Sequence, residues 1–82
     1  MSNKKVFLEL CSDAAEQFSA GMSVKQVQSN IAYVAENYGI PMLQSIEIAE
    51  RFAKVLTILD KTKVSITDGS VAQEFLRLSN NK

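Results

Sequence analysis

The segment that most limits how this chain can fold runs from Met42 to Asp60. Apolar side chains recur along it at helical spacing and cover about half of the helical wheel, whereas the apolar stripe of an ordinary surface helix is roughly 100° wide. The arc comprises Met42, Ile46, Ile48, Ala49, Phe52, Ala53, Val55, Leu56 and Leu59. Because one neighbouring helix cannot cover so wide an arc, we expect residues 41–60 to form the central helix of a compact all-α bundle.

The rest of the chain predicts three further amphipathic helices, at residues 5–19, 23–38 and 69–79. Their apolar stripes consist of Phe7, Leu10, Cys11, Ala14 and Phe18, then of Val24, Val27, Ile31, Val34, Ala35 and Tyr38, and finally of Val71, Phe75 and Leu78. Ser23 and Gln26 have the spacing of a capping box, which marks the start of the second helix. Gly21 and Gly39 suit the ends of the first and second helices. The sequence therefore predicts a bundle of about four helices.

The segment between the last two helices, residues 61–68, departs from helical periodicity. Val64 and Ile66 alternate with polar residues, which is the pattern of a short strand. A lone strand has no ladder partner within this chain. We therefore interpret residues 61–68 as an extended connector that is held by the side chains of Val64 and Ile66. The alternative is a strand that pairs with the same segment of a second copy.

The length of the chain, 82 residues, predicts a single helical domain over residues 1–82. A domain of this size buries only about 60 to 65 % of the surface of its unfolded chain, so it commonly needs a disulfide, a metal or a second subunit. Cys11 is the one cysteine and there is no histidine, which excludes an intramolecular disulfide and a Cys/His zinc site. Oligomerisation remains, and together with the wide apolar arc it predicts a homodimer.

Residues suited to catalysis are scarce. Without histidine, the usual general base and the Ser-His and Cys-His nucleophile pairs are missing. Cys11 lies on the apolar face of the first helix, where a small buried core residue is expected rather than a reactive thiol. Glu9, Asp13 and Glu16 share a helix face and are interpreted as a solvated acidic surface rather than a cation site. We predict a protein that is not an enzyme and has no cofactor or metal.

The charge balance argues against nucleic acid and membrane as default partners. Nine Lys and Arg residues balance nine Asp and Glu residues, whereas affinity for DNA comes from an excess of cations that displaces counterions. The apolar run after Lys4 and Lys5 is interrupted by Glu9, so it lacks the length of a secretory signal, and no window approaches a membrane span. A cytoplasmic protein without a membrane partner is expected.

The stretch "GMSVKQV" raises one alternative, because it is typical of the start of the second helix in a helix-turn-helix DNA reader. In such readers that helix stops after about two turns, so that a recognition helix can cross it. Here the apolar stripe continues unbroken to Tyr38. A DNA-associated transcriptional regulator of degenerate helix-turn-helix type therefore remains the alternative function. Its basic patch would consist of Lys54, Lys61, Lys63 and Arg77.

Tyr33 gives the most specific indication of function. On the wheel of the second helix it lies opposite the apolar stripe, and its neighbours are the uncharged polar residues Gln26, Ser29, Asn30 and Asn37. An aromatic anchor without charges to desolvate is typical of protein interfaces. The alternative is a tyrosine of no functional consequence, or one that another helix of the same fold covers. We predict a small interaction or regulatory module that binds another protein and works as a homodimer.

Overall fold

The computed structural model of the chain describes residues 3–80 and contains four α-helices. In chain order they are α1 (Asn3–Ser19), α2 (Val24–Asn37), α3 (Met42–Lys61) and α4 (Asp68–Asn80). No β-strand is present among residues 3–80. The predicted all-α bundle is therefore confirmed, with helix ends that differ by at most two residues from the predicted ones. Within the same range, no helix combines the length and the apolar character needed to cross a membrane.

The corner between α1 and α2 has the capping chemistry that the sequence predicts. Gly21 ends α1 with a φ of 99°, a conformation that glycine adopts without strain. The Ser23 hydroxyl accepts a hydrogen bond from the Gln26 backbone N–H at 3.2 Å, and the Gln26 side-chain oxygen accepts one from the Ser23 N–H at 3.3 Å. This reciprocal pair satisfies two backbone donors and fixes where α2 begins.

The turn between α2 and α3 is short and is anchored from both sides. Gly39 has a φ of 95°, and Pro41 immediately precedes the first residue of α3. The Ile40 N–H donates to the Ala35 carbonyl at 3.1 Å, and the Ser45 hydroxyl donates to the Ile40 carbonyl at 3.1 Å. Ser45 is fully buried, and this hydrogen bond satisfies its hydroxyl.

The connector between α3 and α4 is shorter than predicted, because Lys61 ends α3 and Asp68 begins α4. Of the two apolar residues expected to hold it, Ile66 packs against the core, whereas Val64 is 45 % exposed. The connector is therefore held inside the chain by one side chain rather than two. Thr67 prepares the next helix, because its hydroxyl accepts a hydrogen bond from the Ser70 N–H at 3.0 Å.

One hydrophobic core joins all four helices. Helices α1 and α3 each contact the other three, whereas α2 and α4 do not contact each other in the described part of the chain. Helix α3 thus has several neighbours, as its wide apolar arc requires. The buried apolar residues are Val6, Leu10, Cys11, Ala14, Ala15, Val27, Ile31, Ala35, Ala49, Phe52, Val55, Leu56, Leu59 and Val71.

Two residues of the predicted α3 arc are exposed, and two others, Ile48 and Ala53, are half-buried. Met42 is 60 % exposed and Ile46 is 43 % exposed. Beside Ile46, the residues Ser29 and Ala32 of α2 have short side chains, and a shallow groove lies between these residues and Ile46. On α1 the core also includes Val6 and Ala15, which are not part of the predicted stripe.

Candidate protein-interaction surface

Tyr33 lies on the outer face of α2, with 67 % of its surface exposed. On the opposite face of the same helix, Val27, Ile31 and Ala35 are completely buried. This arrangement follows from the 3.6-residue period of the helix, which separates the two faces. Among residues 3–80, no other helix covers the tyrosine, so the alternative of a tyrosine covered by another helix does not apply to this part of the chain.

The four polar residues predicted around Tyr33 do not all belong to a free surface. Asn30 is half-buried, and its side-chain N–H donates to the Gln17 side-chain oxygen of α1 at 3.1 Å. The Gln26 side chain is engaged in the capping box at the start of α2. Asn30 and Gln26 therefore stabilise the fold. Ser29 and Asn37 remain exposed beside Tyr33.

Three exposed apolar residues at the start of α3 are absent from the predicted site. Met42, Leu43 and Ile46 are 60, 72 and 43 % exposed, respectively. A shallow groove of about 240 Å³ lies between the outer edges of α2 and α3, and Ile46 lines it together with Ser29 and Ala32. We call this region the α2–α3 surface; its members are Ser29, Ala32, Tyr33, Met42, Leu43 and Ile46.

One feature of the sequence could have predicted that α3 contributes to this surface. Leu43 falls on the wheel of α3 among the exposed residues Glu47 and Glu50, and outside the apolar arc. A large apolar residue among exposed charged ones is a candidate contact for another molecule. Met42 and Ile46 gave no such signal, because the wheel places them beside residues that are buried.

The basic residues of the alternative DNA-binding function are exposed, but their charges are not equivalent. Lys54 and Lys61 lie seven residues apart on α3 and so share one side of that helix. Lys63 follows in the connector, outside the helix. Arg77 forms an ion pair with Glu74 on α4, which lowers the pKa of the Glu74 carboxyl and raises the pKa of Arg77. Arg77 therefore contributes little uncompensated charge to a basic patch.

Cys11 and Asp13 of α1 have environments unlike those of an exposed thiol or carboxylate. Burial raises the pKa of the Cys11 thiol to about 12, and the nearby Asp68 carboxylate adds to this shift. The pKa of Asp13 is also raised, first by burial and then by the neighbouring carboxylates of Glu9 and Glu16. Among residues 3–80, no three cysteine, aspartate or glutamate side chains are grouped as metal ligands.

Comparison with known proteins assigns no family to this chain. No protein-family model, no curated protein sequence and no solved structure gives a significant match to this chain.

Proposed function

We propose that this protein is a non-enzymatic interaction module that works as a homodimer in the cytoplasm and binds another protein through the α2–α3 surface. The observation that carries the proposal is the exposure of large side chains on the outer face of α2 and at the start of α3. Tyr33, Met42, Leu43 and Ile46 are each between 43 and 72 % exposed. Exposed apolar patches of this kind mark sites of association, because burying them removes apolar surface from water at about 25 cal/mol per Å².

We assign the α3 part of the surface, Met42, Leu43 and Ile46, to the contact between two copies of the chain. Met42 and Ile46 continue the apolar arc of α3 beyond the buried Ala49, so their burial would extend an existing core, and Leu43 adds a large apolar side chain beside them. A two-fold dimer uses the same patch on both copies, and these three uncharged side chains match their own copies without like-charge repulsion, with Glu47 and Glu50 at the edge of the contact. A second copy also meets the need of a small domain for additional buried surface.

The outer face of α2 around Tyr33 is then the part that binds another protein. Tyrosine is favoured in interfaces because it offers a large apolar ring and a hydroxyl at a low cost in side-chain entropy. Ser29 and Asn37 beside it supply uncharged hydrogen-bonding groups, which are less costly to desolvate than charges. The missing histidine and the buried Cys11 support a role in binding rather than in catalysis.

The replacement Tyr33→Ala tests this assignment. The full-length protein is immobilised and exposed to an extract of the cells from which it comes, and retained proteins are quantified by mass spectrometry. We expect a stoichiometric partner of the wild type to be retained about thirtyfold less tightly by Tyr33→Ala, which is the loss typical of an interface anchor. The free energy of unfolding should change by less than about 0.5 kcal/mol, because the side chain lies outside the core.

The matched control is Leu76→Ala, which removes another large exposed side chain, 51 % exposed, from α4. This variant should retain the partner as the wild type does. Equal retention by Tyr33→Ala and the wild type would contradict the proposed role of Tyr33. A large loss of stability in Tyr33→Ala would assign the tyrosine to the fold instead.

A further inference from the structure

A second concavity of about 520 Å³ lies on the other side of α3, away from Leu43 and Ile46. It is open to solvent on one side and is bounded by α1, the turn between α2 and α3, α3 and one residue of α4. We call it the α1–α3 groove. Its volume falls within the range of about 300 to 1,000 Å³ that is common for small-molecule sites.

The walls of the groove are mainly apolar and well ordered by packing. Val6 and Leu10 of α1 form its floor and are only 8 and 2 % exposed. Ile48 of α3 and Phe75 of α4 form the opposite side. The Phe75 ring packs edge-on against the Phe7 ring at a centroid distance of 5.0 Å, which restricts its position. A ligand for this groove must therefore have an apolar body.

Among the described residues that line the groove, Arg51 is the one charged side chain. Its guanidinium lies 5.6 Å from the centre of the Phe75 ring and donates a hydrogen bond to the Ser79 hydroxyl at 2.8 Å. These contacts orient the Arg51 guanidinium, and the hydrogen bond to Ser79 uses only one of its five N–H donors. Glu47 lines an adjoining depression without forming an ion pair with Arg51. The groove thus combines an apolar interior with one oriented cation.

We propose that the α1–α3 groove binds an unbranched aliphatic carboxylate of medium length. The hydrocarbon chain lies along Val6, Leu10 and Ile48, and the carboxylate accepts hydrogen bonds from the Arg51 guanidinium. A guanidinium matches a carboxylate in shape as well as charge, because two parallel N–H groups meet two oxygens. This proposal does not depend on the α2–α3 surface, since the two sites share no residue.

Isothermal titration calorimetry of the full chain with hexanoate, octanoate and 1-octanol tests the proposal. Octanoate should bind one per chain, with an affinity at least tenfold higher than that of 1-octanol, which has the same chain length without the charge. Octanoate should also bind more tightly than hexanoate by about fourfold for each added methylene. Both comparisons use the wild-type protein and so do not depend on the folding of a variant.

Two substitutions with matched controls locate the site. Arg51→Gln should lower the affinity for octanoate about tenfold and leave that for 1-octanol unchanged, whereas Lys54→Gln, one turn further along α3, should change neither. Gln44→Trp places a large ring in the groove and should abolish binding. The control Gln73→Trp makes the same change at an exposed position of α4 outside the groove and should bind octanoate normally.

Three results would overturn the proposal: no saturable binding of octanoate, equal affinities for octanoate and 1-octanol, or unchanged octanoate affinity in Arg51→Gln. If no partner binds through Tyr33, the groove proposal still stands, because Tyr33 lies on a different face of the protein.

Discussion

At the scale of single residues, Cys11 shows how burial determines the chemistry of a side chain. It lies on the apolar face of α1, as the sequence predicts, and none of its surface is exposed. Burial disfavours the charged thiolate, and the nearby Asp68 carboxylate disfavours it further, so the pKa of the thiol rises from 9.0 to about 12. A thiol is nucleophilic as the thiolate, and Cys11 is therefore inert in the folded protein at neutral pH.

Alkylation of Cys11 should accordingly report unfolding. At pH 8 we expect iodoacetamide to modify the native chain far more slowly than the chain in denaturing urea. The raised pKa also makes the free energy of unfolding depend on pH. The contribution of Cys11 to this free energy is fully present below pH 9 and is lost as the pH rises towards about 12, because the unfolded chain releases the thiol proton first. Native-state alkylation at the rate of an exposed thiol would contradict this account.

Tyr33 and Asn30 show which features of the site a sequence can predict. The outward position of Tyr33 follows from helical periodicity alone, because residues on the opposite face of α2 are buried. The role of Asn30 could not be predicted in this way. Its hydrogen bond to Gln17 depends on how α1 packs against α2, and no pattern within either helix specifies that packing.

At the scale of elements, the end of α3 contains an unfavourable conformation. Lys63 has a φ of 63°, in the left-handed region that costs a residue other than glycine about 1 to 2 kcal/mol. The Lys63 N–H donates to the Asp60 carbonyl at 3.3 Å, and the Val64 N–H donates to the Leu59 carbonyl at 3.0 Å. These bonds match a helix end at which glycine is the preferred residue.

The replacement Lys63→Gly should therefore stabilise the protein by about 1 kcal/mol, which raises the Tm by roughly 4 to 8 °C for a domain of this size. Urea and thermal unfolding monitored by circular dichroism measure both quantities. The matched control is Lys54→Gly, which makes the same change at an exposed position inside α3. It should destabilise by about 1 kcal/mol, because glycine is unfavourable in a helix interior. A loss of stability in Lys63→Gly would contradict the backbone argument.

The helices themselves were predictable because their signals are local. The capping box of Ser23 and Gln26, the glycines at the helix ends and the periodic stripes each lie within a few residues of one another. The exposure of Met42 and Ile46 was not predictable by the same means. A helical wheel gives the direction of a side chain from its own axis, but it does not show whether the neighbouring helix carries long or short side chains there.

The α1–α3 groove has no local sequence signal either. Its floor comes from α1, its cation from α3 and one wall from α4. These residues are far apart in the sequence, and each has an ordinary role in its own helix. The groove arises because Phe75 packs beside Phe7 and Phe52 while the turn between α2 and α3 leaves the space above Val6 and Leu10 open.

At the scale of the whole molecule, the bundle is flattened, with Cα atoms that extend over 33 × 28 × 19 Å. Each of the four helices has exposed residues as well as buried ones. The apolar arc of α3 is wider than the face that its neighbours cover, which leaves Met42 and Ile46 exposed, and Leu43 is exposed beside them on the outer face of the helix.

The oligomeric state is the most direct test of the central claim. The claim is that the exposed start of α3, with Met42, Leu43 and Ile46, joins two copies of the chain. We predict that light scattering at tens of micromolar gives the wild type a mass twice that of the 9.1 kDa chain. Leu43→Glu should give the mass of one folded chain, because it places like charges in a two-fold contact, whereas Leu76→Glu on α4 should remain dimeric. A wild-type protein that is monomeric at these concentrations, or a dimer that persists in Leu43→Glu, would contradict the claim.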